Sequence, residues 1–310
     1  MSIKKEYKSF VENYSPFPWE VNPKEIREIF SGQHTFEIGY KRFFYIFKYL
    51  KEINKKISNP KIIDVGSYPG NMIKLCKYAF GSYSKYYSIG LDIDNNFISE
   101  VNKYGVECLD TEIDPQFPGA KEPKNWKPNN LDVCLLLDTI EHLVNPTYCL
   151  DKINKSLKSN GYLLITTDNI SNFFYILKMI IKGESPNVNF ILSSKFYIGN
   201  NRPHHREFSK SELKFLLEYS GFEILEHEFF DREQGDYFIK NKKIIKKRKK
   251  LNLKGFVSEK VKSLVNFVPH LRNHQVVLAR KKSNIEDLNR FQPTHSKEKW
   301  LEYRLKTLGY

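Results

Sequence analysis

Between residues 61 and 230 the chain alternates short apolar runs with stretches whose apolar residues recur every three to four positions. The first pattern fits a strand buried on both faces, the second an amphipathic helix. Lys61 to Val65 predicts a strand, and beyond a turn Met72, Leu75, Cys76, Ala79 and Phe80 follow at helical spacing. Tyr86 to Leu91 predicts the second strand, Phe97 to Tyr104 a helix and Val106 to Leu109 the third strand. Pro115, Pro118, Pro123 and Pro128 make residues 112 to 130 a loop. Val133 to Leu137 is an unbroken apolar fourth strand. Asn145-Pro146 supplies a cap and a first-turn proline to a helix carrying Cys149, Leu150, Ile153 and Leu157, which Gly161 is expected to close. Tyr162 to Thr166 is the fifth strand. Ser209 and Glu212 form a capping box, in which each side chain satisfies the other residue's unpaired amide. The helix it opens carries Leu213, Leu216 and Leu217 and ends at Gly221; Phe222 to Phe229 and Gln275 to Ala279 are the last strands.

Strands and helices in this alternation predict an α/β fold, a Rossmann-like αβα sandwich around a mainly parallel seven-stranded sheet. Residues 1–60 are helical in character and rich in aromatics, among them Phe43, Phe44, Tyr45, Phe47 and Tyr49. They are expected to cap the functional edge of the sheet. Residues 61–282 hold the sheet, with a basic, amphipathic, helical insertion at 239–271 before the last strand, and residues 283–310 form a tail.

Composition narrows the class. At 310 residues, 40% apolar and 28% charged, the chain is neither disordered nor fibrous. No window approaches the roughly 18 consecutive apolar residues of a bilayer span, and no apolar stretch follows the basic start. A cytoplasmic protein is therefore expected. Cys76, Cys108, Cys134 and Cys149 lie scattered in apolar runs, away from metal-ligand spacing, so reduced thiols and no metal are expected. The net charge of +14 favours an anionic partner, and eight of the eleven residues from Lys240 to Lys250 are Lys or Arg. Val257, Val261, Leu264, Val265 and Val268 then recur at helical spacing. A basic run beside an amphipathic helix is a candidate contact with an anionic membrane, here at its inner face. The competing reading packs that apolar face on the domain and leaves the lysines solvated.

In an open α/β sheet ligands bind beyond the carboxyl ends of the strands. Asp64-Val-Gly66-Ser-Tyr-Pro-Gly70 follows the first strand there, and its glycines permit a sharp turn and a close backbone approach. Gly90-Leu-Asp92 ends the second strand with a carboxylate able to accept from both hydroxyls of a ribose. Together with the segment from Leu131 to Leu143, which includes Asp138 and Glu141-His142, these residues resemble the class I S-adenosylmethionine-dependent methyltransferases. Leu157 to Asn169, His204 to Leu213 and Ser220-Gly-Phe222 match in order and spacing.

The resemblance implies S-adenosyl-L-methionine as cofactor. Asp64, Gly66 and Gly70 would hold its methionine part, Asp92 and Ile93 its ribose, Glu112 in preference to Asp110 its adenine side, and Asp138 would also bind the cofactor. Tyr68 stands where the family has a glycine, and its ring is expected against the cofactor. His204, matching the histidine of the family's His-x-Arg-Glu-Phe segment, is the candidate general base, and Arg206 a candidate for holding an acidic acceptor.

The residues also narrow the acceptor. Enzymes that methylate planar amino groups often carry Asn/Asp-Pro-Pro-Tyr where this chain has Asp138-Thr-Ile-Glu141, and pyrimidine carbon methylation needs a cysteine nucleophile, whereas Cys134 lies mid-strand. A sugar or other small hydroxyl of a surface glycan is the expected acceptor. An RNA methyltransferase is the alternative enzyme, disfavoured because the basic run carries little aromatic interleaving. A non-catalytic cofactor-binding protein of the same fold is the alternative from another class, and a nicotinamide dehydrogenase is disfavoured because the loop lacks G-x-G-x-x-G spacing.

Overall fold

The computed structural model describes residues 2–15, 17–18, 41–90, 95–114, 126, 128–183, 204–230 and 267–285. Seven strands, β1 (Lys61–Val65), β2 (Lys85–Ile89), β3 (Val106–Cys108), β4 (Leu131–Leu137), β5 (Leu157–Asp168), β6 (Phe222–Phe230) and β7 (His274–Lys281), form one sheet in the order β3-β2-β1-β4-β5-β7-β6. β1 to β5 run parallel, while β7 lies antiparallel between β5 and β6. The mainly parallel sheet expected from the sequence is thus present. Strand order reverses between β1 and β4, so the crevice beyond their carboxyl ends is where such a sheet binds ligands. Because β7 is antiparallel, it begins at that same edge, with His274 opposite Asp168.

Helices α1 (Ile3–Glu12), α2 (Lys41–Asn54), α3 (Asn71–Phe80), α4 (Asn95–Asn102), α5 (Pro146–Ser156), α6 (Phe173–Lys182) and α7 (Lys210–Tyr219) accompany the sheet among the described residues. The pleat decides which face each strand residue serves. Val133 and Leu135 of β4 join the aromatic core beneath α1 to α4, whereas Cys134 and Leu136 join the core beneath α5 and α7. Burial on both sides is why β4 reads as an unbroken apolar run. The N-terminal aromatics belong to the first of these cores: Phe43, Phe47 and Tyr49 of α2 are buried, and α2 packs on α3, α1, β5 and β7. Its first turn nevertheless reaches the crevice, as described below.

One boundary differs from expectation. Gly161 does not close α5, which ends at Ser156 with Leu157 already extended and paired with Leu131. The terminal carbonyls are satisfied instead by a buried lysine, Lys281, whose Nζ donates to Asn154 O at 2.7 Å and Leu157 O at 2.9 Å. Gly161 lies within β5, where a Cβ would stand only 3.0 Å from Lys158 O and 3.2 Å from Leu131 O. It is a glycine of close backbone packing across a bulge. The capping box of α7 is present as expected, with Ser209 and Glu212 bonded reciprocally. Residues 239–266 of the insertion expected at 239–271, and residues 286–310 of the tail expected at 283–310, lie outside the described residues.

Candidate active site

The loop after β1 forms the floor of the crevice. Gly66 and Gly70 both have positive φ, +82° and +89°, and the amides of Gly66 and Ser67 donate back to Ile89 O at the end of β2. At Gly66 the need for glycine is twofold, because a Cβ would stand 2.0 Å from Thr139 Oγ1 in the loop after β4. Thr139 is fixed there by donating to Val65 O and Leu137 O. The two loops therefore touch, and only a bare backbone lets them. Gly70 then caps α3, whose N-terminal amides face the loop.

Asp64 sits beneath this loop, almost fully buried. Burial holds its carboxyl up at about 7, against the opposing effect of the Tyr86 hydroxyl, which donates to Oδ2 at 2.9 Å. A small cavity joins Asp64, Gly66, Tyr68, Asn71 and Leu137 to Arg42 of α2. The Tyr68 ring is half exposed and lies 5.9 Å from the Phe97 ring. Glu112 is buried nearby with Oε1 accepting from the Asp114 amide, and Asp114 in turn accepts from the amides of Val144 and Asn145. Asp92 and Ile93 lie outside the described residues.

A second set of groups continues from the crevice along the sheet edge. Asp138, at the end of β4 with φ +45°, accepts from Thr166 Oγ1 at 2.6 Å and pairs with Arg42. Its Oδ1 meets His274 Nε2 at 2.9 Å, and the other ring nitrogen, Nδ1, meets Asp168 Oδ1 at 2.7 Å. Asp168 Oδ2 faces His204 Nδ1 at 3.6 Å, and Glu207 Oε1 faces the same nitrogen at 3.7 Å. The His204 ring stands edge-on to His142 with centroids 4.6 Å apart. The His204 segment is held by backbone, since the amides of His205 and Arg206 both donate to Glu141 O, and Phe208 O accepts from Gln275 of β7.

A methyltransferase domain family matches residues 39–227, well over half of the chain. The chain belongs to that family. It is an S-adenosylmethionine-dependent methyltransferase. No curated protein sequence matches it. Among solved structures the methyltransferase is similar in fold to a chain from a Haloferax volcanii complex of the Trm112 methyltransferase activator with a methyltransferase, at 10% identity and TM-score 0.49, covering 91% of this chain and 98% of that one. A Mesorhizobium loti S-adenosylmethionine-dependent methyltransferase gives 13% identity and TM-score 0.44 over 75% of this chain and 96% of its own. One from Aquifex aeolicus gives 17% and 0.45, over 84% and 99%.

The residues of this methyltransferase fit its donor. A buried carboxyl, a loop whose glycines leave no Cβ at the crevice floor and a helix N-terminus converge where the amino-acid end of a sulfonium nucleoside needs opposite charges and close backbone. Burial pushes the His204 imidazole down, but Glu207, Glu141 and Asp168 together outweigh it and hold it above its ordinary value. Burial likewise pushes Glu141 up, with Thr167 donating to its Oε2 at 2.9 Å. Among the described residues, the groups able to ligate a metal are Glu141, His142 and His204, or Asp168, His204 and Glu207, with ligand atoms within 4.8 Å in each set.

Of the residues singled out in the sequence, Asp64, Gly66 and Tyr68 line one cavity, Gly70 follows as the N-cap of α3, and Asp138, paired with Arg42 of that cavity, leads to His204 through His274 and Asp168. Arg206 is not drawn into this arrangement: it is exposed and its guanidinium pairs with Glu212 at 2.6 Å. Arg42 and His274 border this arrangement from outside any motif, while Asp168 and Glu207 lie inside matched segments without having been given a role.

Proposed function

We propose that this methyltransferase methylates a hydroxyl of a sugar or similarly small acceptor in surface-glycan synthesis. Asp64, Gly66, Tyr68, Gly70 and Glu112, with Asp92 and Ile93, would hold the donor, and Asp138 would order the wall between donor and acceptor. The donor supplies an electrophilic methyl on a positive sulfur. Transfer to a hydroxyl makes one O–C bond, breaks one S–C bond and releases one proton, which the chain must accept.

The observation that carries the reading is the His204 cluster. It lies on the same sheet edge as Asp64, joined to the crevice wall by Asp138, His274 and Asp168, and one-third of the His204 side chain is exposed, so an acceptor can reach it. Three carboxylates around one partly exposed imidazole make a proton sink. Other acceptor classes find less support. Asp138 is engaged by Arg42, Thr166 and His274 rather than presented to a planar amine, and Cys134 is fully buried in β4, its thiol pushed up by burial.

A lipid-linked acceptor suits the surface beside the site. α6 leaves the β5 edge with Phe174, Ile180 and Ile181 exposed and with Lys178 and Lys182 interspersed. The test is transfer of isotopically labelled methyl from S-adenosylmethionine to sugar acceptors and to total RNA. Label is expected in the sugar hydroxyls, with a drop of about 10²–10⁴ in His204→Ala while donor binding is retained. Label in RNA alone, or a variant with near-normal rates, would contradict the reading.

A further inference from the structure

Two distances at the centre of the His204 cluster are longer than hydrogen bonds. His204 Nδ1 lies 3.6 Å from Asp168 Oδ2 and 3.7 Å from Glu207 Oε1. Hydrogen bonds between such groups run about 2.7–3.2 Å. Two ligands of one metal ion, each about 2.1 Å from it, stand roughly 3.4 Å apart in a tetrahedral shell. The three groups are spaced as neighbours around an ion.

We propose that Asp168, His204 and Glu207 form a binding site for one divalent transition-metal ion of the manganese or zinc kind. Glu207 gives the independent reason. Its side chain is 4% exposed, and its Oε2 is buried with no hydrogen-bond partner among the described residues. A buried carboxylate oxygen left unpaired costs on the order of 1–3 kcal/mol or more, and a cation held by both carboxylate oxygens would remove that cost.

The surroundings are those of a held ligand set. His274 fixes Asp168 through Oδ1 and turns Oδ2 toward His204, while the Tyr175 hydroxyl stands 3.3 Å from Glu207 Oε1. Such outer contacts orient metal ligands. Glu141 and His142 form a second donor set with His204. One imidazole with carboxylates suits manganese, iron or zinc and not the thiolate-seeking ions. A protonated His204 is the rival explanation, but it leaves Glu207 Oε2 as it is.

The role of the ion rests on the acceptor reading above and would take the place of its base: a cation here would lower the pKa of a hydroxyl brought to it, the proton would leave to solvent, and His204 would serve as a ligand. The existence of the site is tested without turnover. Full-length protein stripped with chelator is titrated calorimetrically with manganese chloride and, separately, zinc chloride, then with S-adenosylmethionine.

One ion per chain is expected for at least one metal, weakened tenfold or more in Glu207→Gln and in His204→Gln and unchanged in the exposed Glu218→Gln. Circular dichroism confirms that each variant is folded, and His204, being partly exposed, provides the variant least able to disturb the core. Failure of both ions to saturate at one site, or equal binding by the two cluster variants, overturns the proposal. Donor binding without ion binding also overturns it and leaves the methyltransferase reading standing. Ion binding without donor binding supports the site and removes its assigned role.

Discussion

Asp64 shows how one residue couples fold and function. Its carboxyl sits at about 7 against an ordinary 3.8, chiefly through burial. An acid with a raised value binds its proton more tightly folded than unfolded, so its contribution to stability is fully present below about pH 4 and is lost as pH rises through about 7. The whole effect is on the order of 4 kcal/mol at 1.36 kcal/mol per unit. Without donor, the wild type should therefore melt several degrees lower at pH 8 than at pH 5, and Asp64→Asn should flatten that slope. Identical slopes in thermal unfolding would mean that the carboxyl is not buried as described. The sequence made Asp64 and its glycines legible because they are adjacent in the chain. His274 was not legible as a site residue, since its partners Asp138 and Asp168 lie 136 and 106 residues away. Arg42 was hidden likewise, in a helix whose aromatic pattern announces only packing.

At the scale of elements, the crevice floor depends on two loops meeting at a point. The loop after β1 and the loop after β4 touch where Gly66 faces Thr139. Gly66→Ala meets two separate obstacles, a Cβ 2.0 Å from Thr139 Oγ1 and a left-handed backbone that costs an ordinary residue about 1–2 kcal/mol. Adding Thr139→Ala removes the first obstacle and leaves the second. Denaturant unfolding should show Gly66→Ala to be severely destabilised and the double variant partly restored. Equal losses would place the strain in the backbone alone. The strands and α7 could be read from period and capping, but the end of α5 could not. Its cap is Lys281, more than a hundred residues away, and a local scan sees only the next glycine. The pairing of Asp168 with His204 escaped for a similar reason: the two come from separate segments brought together by the bridge between Asn169 and Phe208.

For the whole molecule, the sheet order bears on where the chemistry would lie, because the switch between β1 and β4 leaves a crevice flanked by β5 and the antiparallel start of β7. The charge of +14 and the exposed apolar side of α6 bear on where the enzyme works. No helix among the described residues is long and apolar enough to cross a membrane. A surface-held enzyme should float with anionic liposomes at low salt, lose that at high salt, and lose it when Lys246, Lys247, Arg248, Lys249 and Lys250 are neutralised, each contributing about 1 kcal/mol. A wild type that never floats would place the acceptor in solution.

The donor is expected to be held by Asp64, beneath the loop after β1, and by Asp92. Calorimetric titration of S-adenosylmethionine into the wild type, Asp64→Asn and Asp92→Ala tests this most directly. One molecule per chain is expected, with affinity about ten- to a hundredfold lower in Asp92→Ala, which loses a charge-assisted contact of roughly 1.5–3 kcal/mol, and lowered also in Asp64→Asn. Unchanged binding in both folded variants would contradict the account.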